Sequence, residues 1–97
     1  MESGHLEPRY DSRQSFYGKA VVAKDFIGDS IYYKLLSYGT LVAMAKKDYD
    51  GKMSYTHMGK YSQTTSRHQR EFFRQLGLSD DDIKILEKNV DTEMSFE

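Results

Sequence analysis

Apolar and polar positions alternate through the first half of the chain and take up a helical period in the second. Across 15–25 (SFYGKAVVAKD), Phe16, Tyr17, Val21 and Val22 with small Ala residues predict a strand, bounded by Gly18 and by Gly28-Asp29. Residues 31–38 (IYYKLLSY) and 40–46 (TLVAMAK) predict a hairpin, because Gly39 between them supplies the positive φ of a tight turn. Asp50-Gly51 is a second turn signal, and 52–58 (KMSYTHM) reads as the returning strand. A helix is predicted over 65–76, where Phe72, Phe73 and Leu76 share one face and Arg67, Arg70, Glu71 and Arg74 share the other. Thr64, Thr65 and Ser66 are its candidate N-caps, and Ser66 with Gln69 matches a capping box. His68 falls between the two faces, and Gly77 stands where a left-handed C-terminal cap is expected. Ser79-Asp80-Asp81-Asp82 starts a second helix, with Ser79 and Asp82 as its capping box and Ile83, Leu86 and Val90 on one face.

Strands first and helices afterwards predict an α+β domain: an antiparallel sheet of three to four strands packed against a C-terminal helical hairpin. Residues 15–90 are expected to form this single domain, with a flexible N-terminal arm over 1–14 and a frayed acidic tail over 91–97. At 97 residues the chain has room for one core and no large cleft.

Charge changes the picture more than composition does. Residues 9–78 hold twelve Lys/Arg against six Asp/Glu, whereas 79–97 hold two against seven, so a net charge of −1 conceals a basic body and an acidic end. The chain has no Cys, no apolar run near the ~20 residues that span a bilayer, and no charged-then-apolar leader pattern, which together suggest a cytoplasmic protein without membrane contact. Among the aromatics, eight Tyr and five Phe with no Trp, Tyr dominates, and Tyr keeps its hydroxyl wet while packing its ring.

Nothing in the pattern asks for catalysis. His5, His57 and His68 are scattered without metal-ligand spacing, and Asp48-x-Asp50-Gly51 lacks the closing Glu of a calcium loop. Gly18, Gly28, Gly39 and Gly51 are isolated rather than gathered into a phosphate-cradling loop, and no nucleophile elbow occurs. No metal, cofactor or enzymatic activity is therefore expected.

Three segments carry a resemblance. RQSFYGKA (13–20), LLSYGTLVA (35–43) and YSQTTSRHQREF (61–72), in this order, resemble a small phage and mobile-element domain of unknown function with SFYGKA, SYxTxVA and YSxTTxRHxxEF cores. The resemblance covers about 9–78, implies a phage-type setting and a shared fold, and leaves the acidic second helix outside. The polar stretch 46–60 is longer than the pattern leads one to expect.

The third segment holds the candidate binding residues: Lys60, Tyr61, Thr64, Thr65, Arg67, His68, Arg70 and Arg74. One reading is structural, with the threonines locking the loop-to-helix junction and His68 donating to a backbone carbonyl or to Tyr38. The other is an anion site at the helix N-terminus, with Ser62, Thr64 and Thr65 beside Arg67 and His68, and with Tyr38, Tyr55 and Tyr61 as stacking surfaces for unpaired bases. The expected function is a small non-enzymatic phage-type binding protein that modulates a host macromolecule, in host takeover or counter-defence, through protein–protein contact at the hairpin 49–55 or the acidic helix. The alternative is a nucleic-acid-binding accessory protein that uses the basic face of the helix at 65–76. A homodimer stays open, since a sheet edge in so small a domain needs protection.

Overall fold

The structure is a computed structural model that describes residues 2–96. Five antiparallel strands, β1 (Glu2–His5), β2 (Ala20–Ile27), β3 (Ser30–Ser37), β4 (Thr40–Lys47) and β5 (Met53–His57), lie in sequence order as a meander. Helices α1 (Gln63–Gln75) and α2 (Asp80–Lys88) follow. α1 packs on β3 and β4 and α2 against β5, so the helical pair covers one face of the sheet as expected. The domain is α+β, with five strands where three to four were predicted.

The additional strand comes from the segment expected to be a loose arm. β1 pairs with β2, Gly4 opposite Val22, and Leu6 beyond it is buried in the core. Four residues without apolar alternation carry too little signal to be read as a strand, and their pairing is imposed by β2. The other end of the chain docks in the same way. Met94 exchanges two backbone hydrogen bonds with Tyr55 (2.8 and 2.9 Å), and Phe96 packs beside the Tyr55 ring, so the predicted frayed tail instead covers the outer edge of β5.

Paired residues share a face, which puts Val22, Leu35, Ala43 and His57 in one row under the helices, and Tyr33, Ala45 and Tyr55 in the next. Leu35 pairs with Ala43 but Leu36 with Leu41, so Val42 is an extra residue, a bulge that turns both Val42 and Ala43 into the core. The bulged carbonyl accepts from Met58 N (3.1 Å) and from Gln69 Nε2 (2.9 Å), and Gln69 Nε2 also reaches Gly59 O (2.9 Å). One buried amide thus ties α1 to two strand ends. Phe73, fully buried, stacks on His57 and meets Tyr55 edge-on, while Ile83 and Leu86 close the core from α2. Each such side chain contributes about 1.5–3 kcal/mol by leaving water.

Three local expectations shift. The first long strand begins at Ala20, because 16–19 forms a turn closed by Lys19 N to Phe16 O (3.0 Å). The N-cap of α1 is Ser62, whose Oγ accepts from Thr65 N (3.1 Å), so Thr64, Thr65 and Ser66 lie inside the helix and no Ser66–Gln69 capping box forms. Val90 lies beyond α2 and is exposed. The remaining caps form as expected. Gly77 (φ 100°) follows the C-cap Leu76, with Gly77 N to Arg74 O and Leu78 N to Phe73 O closing a Schellman motif. Ser79 and Asp82 make the capping box of α2.

Candidate functional site

Helix α1 presents a basic stripe that is largely engaged within the molecule. Arg67 Nη1 lies 3.0 Å from Asp11 Oδ1, and Arg74 Nη1 lies 2.9 Å from Asp80 Oδ1 with its guanidinium 4.8 Å from the Tyr10 ring centroid. Glu71, read from spacing as part of the outer face, is only 2% exposed. Its Oε1 accepts from Tyr10 N (2.9 Å) and Asp11 N (3.1 Å) and its Oε2 from Gln75 Nε2 (2.7 Å), so the carboxylate fastens the N-terminal connection over the helix. The 3.6-residue period places Glu71 correctly on the helix, but it cannot reveal that another segment covers that face. Arg70 is exposed and, among the described residues, forms no ion pair.

The three motif segments converge on His68. This residue is 0% exposed, with Phe16 edge-on at 4.5 Å and the Tyr38 ring at 5.9 Å between centroids. Its Nδ1 is 2.8 Å from Ser37 Oγ, which is 2.9 Å from Thr65 Oγ1, and Ser62 Oγ donates to Thr65 Oγ1 (3.2 Å). His68 Nε2 is buried without a partner. A proton on Nδ1 therefore suits the site: His68 then donates to Ser37, and a bare lone pair rather than a stranded N–H is left in the interior. Burial pushes the His68 pKa below the usual imidazole value, with Asp11 acting against the shift. The junction is thus locked as the structural reading expected, with Ser37 rather than a backbone carbonyl or Tyr38 as the partner. Thr65 and His68 are enclosed and cannot touch a ligand on the surface.

The same cluster carries three tyrosines on its rim. Tyr17 follows Phe16, Tyr38 follows Ser37 and Tyr61 precedes Ser62, and the three are 78%, 57% and 55% exposed. Tyr17 (φ 53°) and Tyr38 (φ 51°) each precede a positive-φ glycine, Gly18 (71°) and Gly39 (81°), in two Tyr-Gly turns joined by Tyr38 N to Lys19 O (2.9 Å). Asn, Asp or Gly normally takes the first of two left-handed positions, and a Tyr there costs about 1 kcal/mol. The folded chain retains that strain at two exposed rings whose outer surfaces bury little.

A meander sends alternate turns to opposite ends of the sheet, so the connections 6–19, 38–39 and 58–62 share one end while 28–29 and 48–52 share the other. Within the first end, 12–19, 37–41 and 58–66 contain Arg13, Lys19 and Lys60 and no acidic residue. The α1 N-terminus points there and has no acid in its first turn. Lys60, Tyr61, Ser62, Gln63, Ser66, Arg67 and Arg70 line an open groove of about 510 Å³ beside it, with Glu87 as its one acid.

Of the residues expected to bind, Lys60, Tyr61, Arg67 and Arg70 thus come together on this groove. Thr64 is half-buried in the first turn of α1, Thr65 and His68 are interior, and Arg74 lies further along the helix in the pocket with Tyr10 and Asp80. Tyr55, expected as a stacking surface, is buried under Phe73. Tyr17 and Lys19 were missed as site residues, although a repeated Tyr-Gly pair, in which Tyr occupies a turn position suited to Asn, was the available signal.

Of the two expected contact surfaces, the acidic helix has structural roles. Asp80 holds Arg74, Asp82 caps α2, and Ile83 and Leu86 are core, so the acidic helix is not a detachable appendage. Tyr49, in the turn between β4 and β5, is 83% exposed. Among the described residues no helix is long and apolar enough to cross a membrane, and no group of three or more His, Asp or Glu is placed to hold a metal ion.

A family model described as a family of unknown function (DUF8033) matches residues 4–88, which takes in β1 from Gly4 onwards and the acidic helix α2 that the motif resemblance left outside. No curated protein and no solved structure matches the chain.

Proposed function

The chain belongs to the DUF8033 family, and we propose that it is a small non-enzymatic binding protein that engages nucleic acid at the end of its sheet that carries Lys19 and Lys60. The observation that carries this reading is the coincidence of Arg13, Lys19 and Lys60 with the α1 N-terminus, where Asp11 is already committed to Arg67 and Glu87 is the one acid on the groove. Phosphate needs such uncompensated cations, and the helix stripe proposed from sequence offers fewer of them, because Arg67 and Arg74 are paired. The working surface is therefore the rim around Lys19, Lys60 and Arg70 rather than the length of α1.

Titration of labelled oligonucleotides by fluorescence anisotropy at low and at physiological salt tests it. Binding should weaken steeply with salt, and Lys19→Glu with Lys60→Glu should remove most of it. Affinity that ignores salt, or that survives the double charge reversal, would overturn the assignment.

A second reading is contact with a host protein in a phage or mobile-element setting, acting in the cytoplasm. Tyr49 favours it, because an exposed Tyr at a hairpin tip is a low-entropy contact group. Retention of a host protein by the wild type and its loss on Tyr49→Ser would support that reading instead.

A further inference from the structure

The tyrosines on the rim point to the form of the nucleic acid, and the inference rests on the reading above. Cations alone serve duplex and single strands alike, since both present phosphates. Exposed aromatic rings do not, because the faces of bases in a duplex are already covered by their neighbours, whereas an unpaired base can lie on a ring. Tyr17, Tyr38 and Tyr61 are all more than half exposed, and each adjoins a residue of the Phe16, Ser37 and Ser62 framework around His68. The backbones of Tyr17 and Tyr38 are fixed by Lys19 N to Phe16 O, by Tyr17 N to Ser15 Oγ (2.9 Å) and by Tyr38 N to Lys19 O. A rigid ring loses little freedom when a base stacks on it.

We infer that this end of the protein is a stacking platform for single-stranded nucleic acid, on which unpaired bases lie against Tyr17, Tyr38 and Tyr61 while Lys19, Lys60 and Arg70 take the phosphates. The left-handed turns then serve binding, since they hold two rings outward at positions where Asn or Gly would have closed the turn with less strain. The stacking is sequence-tolerant, because every base has a face. Lys60 and Arg70 border the groove at the α1 N-terminus and Lys19 lies in the connection beside Tyr38, so phosphates would run alongside the rings.

The test uses the full-length protein and four labelled probes of equal length: oligo-dT, oligo-U, an abasic deoxyribose-phosphate strand and a dT·dA duplex. Oligo-dT or oligo-U should bind more tightly than the abasic strand and the duplex, and a preference between the first two identifies the class of strand. Tyr17→Ala and Tyr61→Ala, at exposed positions, should each weaken single-strand binding by about 5- to 150-fold. Neither should alter the salt dependence, which three cation–phosphate contacts set at a slope of about −2. Equal affinity for the abasic strand or the duplex, or wild-type affinity in both tyrosine variants, would overturn the inference while leaving a cation-based site in place. Failure of all four probes would remove that site as well.

Discussion

Gln69 gives the most direct test of how α1 is held on the sheet. Replacing it with Leu keeps the volume and removes the amide that bonds Val42 O and Gly59 O. Val42 O retains its bond from Met58 N, so its loss is partial, about 0.5–1 kcal/mol. Gly59 lies in a half-buried loop, where water can replace the lost donor, so its loss is nearer the lower limit of about 1–3 kcal/mol. One contribution has the opposite sign. Gln69 Oε1 is buried without a partner, and Leu relieves that penalty by about 1 kcal/mol. The expected net destabilisation for Gln69→Leu is about 0.5–1 kcal/mol, a shift of roughly 0.5 M in a urea midpoint. Gln69→Ala loses the same bonds and also leaves a cavity beside the bulge, so it should cost about 3–4 kcal/mol. Urea unfolding followed by circular dichroism reads both variants. A Leu variant as stable as the wild type would show that the amide does not clamp the helix, and equal losses for Leu and Ala would show that side-chain volume has no part in it.

Four further outcomes are expected. His57 and His68 both have pKa values lowered chiefly by burial, opposed by Asp11 at His68; at His57 Glu87 and Asp91 oppose it and Lys60 reinforces it. The folded state thus binds protons less readily than the unfolded chain, so their contribution is complete above about pH 6.5 and is lost as pH falls below it, at no more than about 1.4 kcal/mol per pH unit for each site; urea midpoints across this range should show the slope, and His68→Asn should flatten it. Ser62→Ala should cost about 1 kcal/mol by removing the N-cap, and Ser66→Ala close to nothing, so equal thermal shifts would contradict the assignment of the cap. Glu71→Ala should expose the Tyr10 and Asp11 amides to fast hydrogen exchange and destabilise the fold by about 2–3 kcal/mol; unchanged protection would mean that the N-terminal connection is held by other contacts. Glu87→Gln should tighten oligonucleotide binding a few-fold at low salt, since it removes the one acid of the groove, and identical salt titrations would place the phosphates elsewhere.

Local grammar was sufficient for much of this protein. Alternation over 31–46 with Gly39 between predicts the β3–β4 hairpin, and the changed period after Ser62 predicts α1. Gly77 and the Ser79/Asp82 pair mark helix ends because caps are chosen by neighbours within a few residues. The strand-then-helix order predicts an α+β domain for the same reason. What required the tertiary structure was every pairing between distant segments. β1 is a strand only because β2 offers it an edge, and 91–96 follows β5 only because Tyr55 exchanges hydrogen bonds with Met94. By period Glu71 looks like a surface residue and His68 falls between the faces, yet the first is covered by Tyr10 and Asp11 and the second by Phe16, Ser37 and Tyr38. The site follows the same division: Lys60, Tyr61 and Arg70 were legible as a cationic, aromatic stretch, whereas Tyr17 and Lys19 joined them only when the meander brought two Tyr-Gly turns to one end. Sequence period records which way a side chain leaves its own helix or strand; whether another segment lies there is decided by contacts some thirty to sixty positions apart, for which the local pattern carries no signal.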